Sequence, residues 1–279
     1  LKPFQASAGI ESGAFKAYNL SNSEIALTCS SHSGEKIHTD LASKILKKIN
    51  LSINSYECGA HAAHNTHTRH KMLISQQKYS ALHNNCSGKH AGMLCLAQHI
   101  TTTPTDYIKP NHPVQKYIKR QTINYAETKA IEYGVDGCSV PVPFYTLQTI
   151  AKMYQKIGST TDPVMKQIFH AMHNNPYLVG GKKRFDTEFI SALNGRGIAK
   201  GGGEAIQGIT LITKKHGPIG IAVKILDGSY RARAAATMKF LIHFNLLSDV
   251  EIEQLKQYNK TLLYNHNKIK TGHIEAVVE

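Results

Sequence analysis

The chain has no run of 18 or more consecutive apolar residues, and its first residues lack the charged region, apolar region and small-residue cleavage site of a secretory signal. We therefore expect neither a membrane span nor an export signal in the printed sequence. The chain begins at Leu1 rather than at Met. We expect it to be an N-terminally truncated piece of a longer protein. The expectation of no membrane span and no export signal applies only to the printed residues.

Cysteines are few and odd in number, with five in 279 residues. An odd count spread through a chain of this size argues against a disulfide framework and favours reduced, buried or metal-ligating thiols. Such thiols are typical of a reducing compartment, and we expect a cytoplasmic protein. The five are Cys29, Cys58, Cys86, Cys95 and Cys138.

Acidic residues are also scarce: 19 stand against 33 cations, which gives a formal net charge of +14. A basic chain attracts polyanions, but only 6 of the cations are Arg, the residue that nucleic-acid readout favours. The lysines are dispersed along the chain rather than gathered in a patch. We expect no dedicated nucleic-acid site, and non-specific attraction to polyanions stays open as an alternative.

The order of predicted elements indicates helices packed on an antiparallel sheet, an α+β fold in a single domain over residues 1–279. Residues 24–30 are predicted as a buried strand and residues 197–204 as a glycine-rich turn. Residues 206–213 and 219–226 have the pattern of a hairpin. Helices are predicted over residues 3–17, 41–49, 114–133, 147–157, 163–174 and 231–247.

Cys86, Lys89 and Cys138 form a candidate metal site. Cys86 and Lys89 stand three positions apart at a predicted helix entrance, and Cys138 comes from a distant loop. A thiolate is a strong zinc ligand, whereas an amine binds a metal only after losing its proton. The alternative interpretation treats the cysteines as small buried apolar residues and Lys89 as an exposed or catalytic cation.

Other histidines offer ordinary ligands nearby, at His83 and His90. A further histidine run has a uniform spacing of three and favours a polar surface, because no acidic residue or cysteine accompanies it closely. Its members are His61, His64, His67 and His70.

Three lysines are candidate bases for a hydroxyl nucleophile, because a lysine whose pKa is lowered can take a proton. They are Lys2, Lys89 and Lys200. Lys200 precedes Gly201 in the glycine-rich turn, where backbone N–H groups can approach an anionic substrate closely. A plain flexible loop is the alternative interpretation of this turn.

Several segments occur in an order that resembles one family, the rhizobial-type L-asparaginase II amidohydrolases. They are Lys2-Pro3-Phe4-Gln5-Ala6, Cys29-Ser30-Ser31-His32-Ser33-Gly34-Glu35, Asn85-Cys86-Ser87-Gly88-Lys89-His90, Asp136-Gly137-Cys138, Arg184-Phe185-Asp186-Thr187 and Ala199-Lys200-Gly201-Gly202. Each segment alone is weak evidence for the family, but the occurrence of all of them in this order is specific for it.

The resemblance implies a fold like that of serine β-lactamases and penicillin-binding proteins. It implies hydrolysis of L-asparagine through Ser–Lys pairs and an acyl-enzyme, with Lys2, Ser31 and Lys200 as catalytic residues. The family motif also places a serine three residues before Lys2. The resemblance implies that Lys2 deprotonates this serine, which is the nucleophile, and that Ser31 pairs with Lys200 to relay protons or hold the carbonyl, with Ser31 as the alternative nucleophile. A catalytically impaired homologue that binds a small amide, a serine-dependent glutaminase and a β-lactamase-like hydrolase remain alternatives.

The resemblance further implies a Zn²⁺ ion held by Cys86, Lys89 and Cys138. It places His90 and Asp136 beside the substrate pocket, and a homodimer is the family expectation.

Overall fold

The computed structural model describes residues 1–101, 103–159 and 161–278, and it combines helices with small antiparallel sheets. The helices of the first half are α1 Lys2–Glu11, α2 Ala14–Ala17, α3 Asn22–Thr28, α4 Lys36–Lys48, α5 Thr66–Ile74, α6 Ser87–Ile100 and α7 Pro113–Ala126. Those of the second half are α8 Leu147–Ile157, α9 Pro163–Asn174, α10 Pro176–Val179, α11 Phe185–Ala192, α12 Tyr230–His243, α13 Asp249–Gln254 and α14 Lys256–Asn259.

The largest sheet has three antiparallel strands in the order β3-β4-β5, and two further strand pairs, β1-β2 and β6-β7, form separate two-stranded sheets. Helices α8 and α12 pack against β4 and β5, while α9 and α11 pack against β3. The strands are β1 Glu132–Val135, β2 Pro141–Phe144, β3 Gly197–Gly201, β4 Ile206–Thr213, β5 Gly217–Lys224, β6 Thr261–Tyr264 and β7 Lys270–Ile274. The prediction of helices on an antiparallel sheet is confirmed at this level.

Two central helices, α1 and α6, carry the buried core. Residues 3–9 of α1 and residues 87–97 of α6 are buried along their whole length rather than on one face. Helix α1 packs against α6 and α7, and α6 also packs against α3 and α4. Most side chains in these two segments are apolar or small, as a helix buried all round requires, and the buried polar exceptions include Lys89 and His90 of α6.

Residues 24–30 do not form the predicted strand. Residues 24–28 belong to α3, and residues 29 and 30 follow its end. The start of α3 is fixed by a capping box: Ser21 Oγ accepts from the Glu24 N–H, and the Ser21 N–H donates to Glu24 Oε2 at 2.7 Å. Lys48 holds the same carboxylate at 2.6 Å. These contacts satisfy donors that a first helical turn leaves open, so helix formation outweighs the strand preference of the apolar run.

The glycine-rich turn predicted over residues 197–204 is mostly strand β3, which pairs with β4 so that Lys200 lies opposite Gly208. Two of its glycines have close neighbours, one a backbone atom and the other the end of a long side chain. A Cβ at Gly197 would lie 2.5 Å from the carbonyl oxygen of Thr210, and one at Gly201 would lie 2.1 Å from a guanidinium nitrogen of Arg233.

The hairpin is present, and helices α8 and α9 have the predicted bounds. The helix predicted over residues 3–17 is divided into α1 and α2 at Gly13, which has φ of 82°. Helix α7 ends at Ala126, before the predicted end, because Glu127 adopts a left-handed conformation with φ of 54°. His61 and His64 precede α5 instead of lying on it. Among the described residues, no helix is both long and apolar enough to cross a bilayer.

Gly88 allows α3 and α6 to come close enough to bring their ends together. A Cβ at this position would lie 2.2 Å from the carbonyl oxygen of Leu27, a backbone atom that cannot rotate away. Any larger side chain must therefore separate the two helices, and with them the segments that follow α3 and precede α6.

We expect Gly88→Ala to destabilise the protein by about 1–3 kcal/mol, because overpacking outweighs the gain of about 1 kcal/mol that Ala brings to an unhindered helix. Thermal unfolding measures the difference. Gly272→Ala is the control, since nothing lies within 4 Å of its added Cβ. A Gly88→Ala protein that melts at or above the temperature of the parent would contradict this account.

Candidate active site

Ser31 lies in the loop after α3, where its side chain meets two lysine amines. Its N–H donates to the carbonyl oxygen of Val179 at 3.1 Å, which anchors the loop to α10. The Nζ atoms of Lys2 and Lys200 each lie 2.8 Å from Ser31 Oγ. The structure thus brings together the three side chains that the sequence marked as catalytic.

Lys2 is the first residue of α1, and its Nζ contacts three oxygen atoms. These are the carbonyl oxygen of Ser30 at 2.5 Å, Ser31 Oγ at 2.8 Å and the carbonyl oxygen of Asn85 at 3.4 Å. Three acceptors match the three N–H donors of an ammonium group. Because Asn85 precedes Cys86 in the chain, Lys2 bridges the serine loop and the start of α6.

Lys200 comes from β3 and is only 3% exposed. Its Nζ also donates to the carbonyl oxygen of Gly201 and lies 3.8 Å from Asp186 Oδ2. Burial lowers the pKa of Lys200 to about 7, and the cations Lys2 and Arg233 add to this effect while Asp186 opposes it. A substantial neutral fraction near neutral pH makes Lys200 suited to accept a proton.

A second group of side chains lies at the start of α6. Candidate ligand atoms of Cys86, Asp136 and Cys138 lie within 4.8 Å of one another. The Nζ of Lys89 lies 2.8 Å from both Asp136 Oδ2 and Cys138 Sγ. The predicted trio of Cys86, Lys89 and Cys138 is therefore gathered in space, and Asp136 joins it.

This donor set fits a soft divalent metal ion. A hydrogen bond from Cys138 lowers the pKa of the Cys86 thiol well below its usual value, although burial opposes the change. A thiolate at the beginning of a helix is a ready metal ligand. Burial disfavours the charged form of Lys89, but the sulfur atoms of Cys86 and Cys138 and the carboxylate of Asp136 raise its pKa. An incoming cation would therefore compete with a proton at Lys89.

The remaining candidate ligands make other contacts. His83 Nδ1 accepts the N–H of Ser80 at 3.1 Å, and Cys95 Sγ donates to the carbonyl oxygen of Ala14. His61 Nε2 accepts the N–H of Asn85 at 3.0 Å. All five cysteines are free and buried.

The residues predicted to contact substrate have different surroundings. Asp136 has a side chain that is 37% exposed and can reach a ligand. His90 is fully buried and shares a hydrogen bond with the Tyr107 hydroxyl at 2.7 Å. The N–H of Gly201 already donates to Asp186. Substrate contact by these three residues stays a prediction.

Two features of the site were not predicted. His32 accepts the N–H of Gly34 on Nδ1 and shares a hydrogen bond of 2.9 Å with Ser87 Oγ, so it ties the Ser31 loop to α6. Asp186 lies beside Lys200. Both residues stand inside the motif segments, but only the three-dimensional contacts reveal what they touch.

A family model described as L-asparaginase II matches residues 1–276. The chain belongs to the L-asparaginase II family. No curated protein matches it. Membership in the L-asparaginase II family supports an asparaginase-type amidohydrolase that acts on an amide substrate such as asparagine.

Proposed function

We propose that this chain hydrolyses the side-chain amide of L-asparagine with Ser31 as the nucleophile. The observation that carries the proposal is the position of Ser31 Oγ, 2.8 Å from the amines of both Lys2 and Lys200. A serine hydroxyl is a weak nucleophile until an adjacent base removes its proton. Lys200 has the lowered pKa that such a base requires.

In the first half of the reaction, neutral Lys200 takes the proton of Ser31 while Oγ bonds to the amide carbon. The carbon–nitrogen bond breaks, the proton held by Lys200 passes to the leaving nitrogen, and ammonia departs. Lys2 places positive charge beside Oγ, where it stabilises negative charge that develops in the transition state. A water molecule, deprotonated by Lys200, then cleaves the ester to give aspartate and free Ser31.

We further propose that the metal ion is Zn²⁺, held by Cys86, Lys89 and Cys138 with neutral Lys89. Zinc prefers thiolate and nitrogen ligands, and two of the three here are cysteines. When bound, the ion would supply positive charge and Lewis acidity next to the substrate pocket. Asp136 contacts Lys89 and Cys138 and is the alternative third ligand.

The wider expectations of the family accompany this proposal. They are a β-lactamase-like fold, a single domain over residues 1–279, a homodimer and a cytoplasmic location. The antiparallel β3-β4-β5 sheet with helices packed against it supports the first of these. Helix α9 packs against both β3 of the sheet and α1, which supports the second.

Replacing either member of the proposed pair should lower turnover strongly. We expect Ser31→Ala and Lys200→Met to lower the rate of ammonia release from asparagine by roughly 10²–10⁴-fold, the usual contribution of general base catalysis or more. Lys215→Met, at an exposed lysine in the β4–β5 loop, should leave the rate unchanged.

Four outcomes would separate the alternatives. Ammonia release that survives Ser31→Ala in this chain would exclude Ser31 as the nucleophile. Ammonia release that appears only in a chain extended upstream would move the nucleophile to the serine that the family motif places before Lys2. Asparagine binding without ammonia release would favour an impaired homologue. Faster turnover of glutamine or of a β-lactam in a substrate panel would reassign the substrate.

The reaction should depend on pH through Lys200. Because the base must be neutral, kcat/KM is expected to rise as pH increases through about 7, the lowered pKa of Lys200, and then to level off. An acid-side midpoint above pH 9 would show that the pKa of Lys200 is not lowered, and would remove it as the base.

Purified protein is expected to contain about one zinc per chain by elemental analysis. Cys86→Ala and Cys138→Ala should each lose most of it, while Cys95→Ala, at another buried thiol, should retain it. Comparing Lys89→Met with Asp136→Asn identifies the third ligand, since only its loss should remove the metal. Full retention in the Cys86→Ala and Cys138→Ala variants would refute the site.

A further inference from the structure

Asp186, in the first turn of α11, is a buried carboxylate with 6% exposure. Burying a carboxylate is costly unless hydrogen bonds and an opposite charge compensate for the lost water. Oδ2 accepts the N–H of Gly201 at 2.8 Å, and Oδ1 accepts from Gln207 Nε2 at 3.0 Å. The same Oδ2 lies 3.8 Å from the Nζ of Lys200.

The two donors belong to neighbouring strands. Gly201 in β3 and Gln207 in β4 are cross-strand partners. One carboxylate from α11 therefore fixes both strands at the position next to Lys200. Lys200 in turn donates to the carbonyl oxygen of Gly201. The backbone of Gly201 therefore binds Asp186 through its N–H and the amine of Lys200 through its carbonyl oxygen.

The electrostatic surroundings of Lys200 are mostly positive. Burial, Lys2, Arg233 and Arg184 all favour loss of its proton, whereas Asp186 favours retention. The other polar and titratable groups that face it include the hydroxyl of Ser31 and the thiol of Cys29. Burial raises the pKa of Cys29 to about 12, so this thiol is uncharged near neutral pH and does not offset the cations.

We propose that Asp186 is a positioning residue that aims the amine of Lys200 at Ser31 and sets the pH at which this amine acts as a base. The inference rests on the proposed function, because Lys200 matters only if it is the base. Asp186 itself touches no reacting atom. Its carboxylate acts through the charge and the backbone contacts that it places around Lys200.

Asp186→Asn is the direct test, and the local geometry suits it. The amide oxygen of Asn can accept the N–H of Gly201. Its NH₂ would face Gln207 Nε2, so the Gln207 amide must flip and present Oε1, which lacks a hydrogen-bond partner among the described residues. The substitution therefore removes the charge and keeps the shape. An opposite charge at this distance typically changes a pKa by about 1 unit or more.

The readout is the titration of Lys200 by NMR in protein with ¹³C-labelled lysine, with the signal assigned by its loss in Lys200→Met. We expect its midpoint to fall by about 1 pH unit or more in Asp186→Asn, with a parallel shift of the acid limb of kcat/KM. Glu188→Gln removes a charge from the same helix, where its carboxylate binds Gln257 instead. It should leave both midpoints unchanged.

A second variant keeps the test decisive if Asp186→Asn does not fold. Gln207→Met removes a donor that competes for the carboxylate, so the titration of Lys200 should move to higher pH. An unchanged Lys200 titration in a folded variant would overturn the proposal and leave Asp186 with a structural role alone. The expected NMR shift in a protein that releases no ammonia would instead support the proposal and reject the proposed function.

Discussion

The site depends on one constraint, which is that two lysine amines share one serine hydroxyl. Burial disfavours the charged form of Lys200, and the nearby cation Lys2 adds to this effect, so the pKa of Lys200 is lowered to about 7. Lys2 is only half-buried, and its Nζ has three oxygen acceptors, which suit an ammonium group. The two amines therefore have different surroundings, which suit Lys200 to act as the base and Lys2 to donate hydrogen bonds.

The two clusters of the site meet because three element ends converge. Helix α1 begins at Lys2, α6 begins after Cys86, and the loop after α3 carries Ser31. Lys2 contacts the carbonyl oxygens of both Ser30 and Asn85, so its position depends on α3 and α6 together. A shift of either helix therefore moves the amine of Lys2 relative to Ser31. The close approach of α3 and α6 at Gly88 fixes the distance between these two helices.

The elements predicted correctly from the sequence are those in which apolar residues recur at helical spacing within one segment. Helices α8 and α9 have the predicted bounds because their apolar residues recur at helical spacing within each segment. One error overlooked a local signal: residues 24–28 form a helix that Ser21 and Glu24 cap, and this spacing of three is visible in the sequence. The other error lies where distant pairing decides, because residues 197–201 form a strand through their hydrogen bonds with β4. Motif order marked Ser31 and Lys200, but it carried no sign that Asp186 lies beside Lys200.

Electrostatic balance also governs the group of side chains at the start of α6, which consists of Cys86, Lys89, Asp136 and Cys138. Lys89 donates to Asp136 and Cys138, so its ammonium neutralises a group of acidic atoms that would repel one another without it. A divalent cation would compensate for the same charges through the same atoms. A metal ion and a proton therefore compete for the amine of Lys89, and metal binding is favoured when the amine is neutral. A carboxylate needs no such deprotonation near neutral pH, which gives Asp136 an advantage as the third ligand, while the nitrogen of Lys89 suits zinc better than oxygen does.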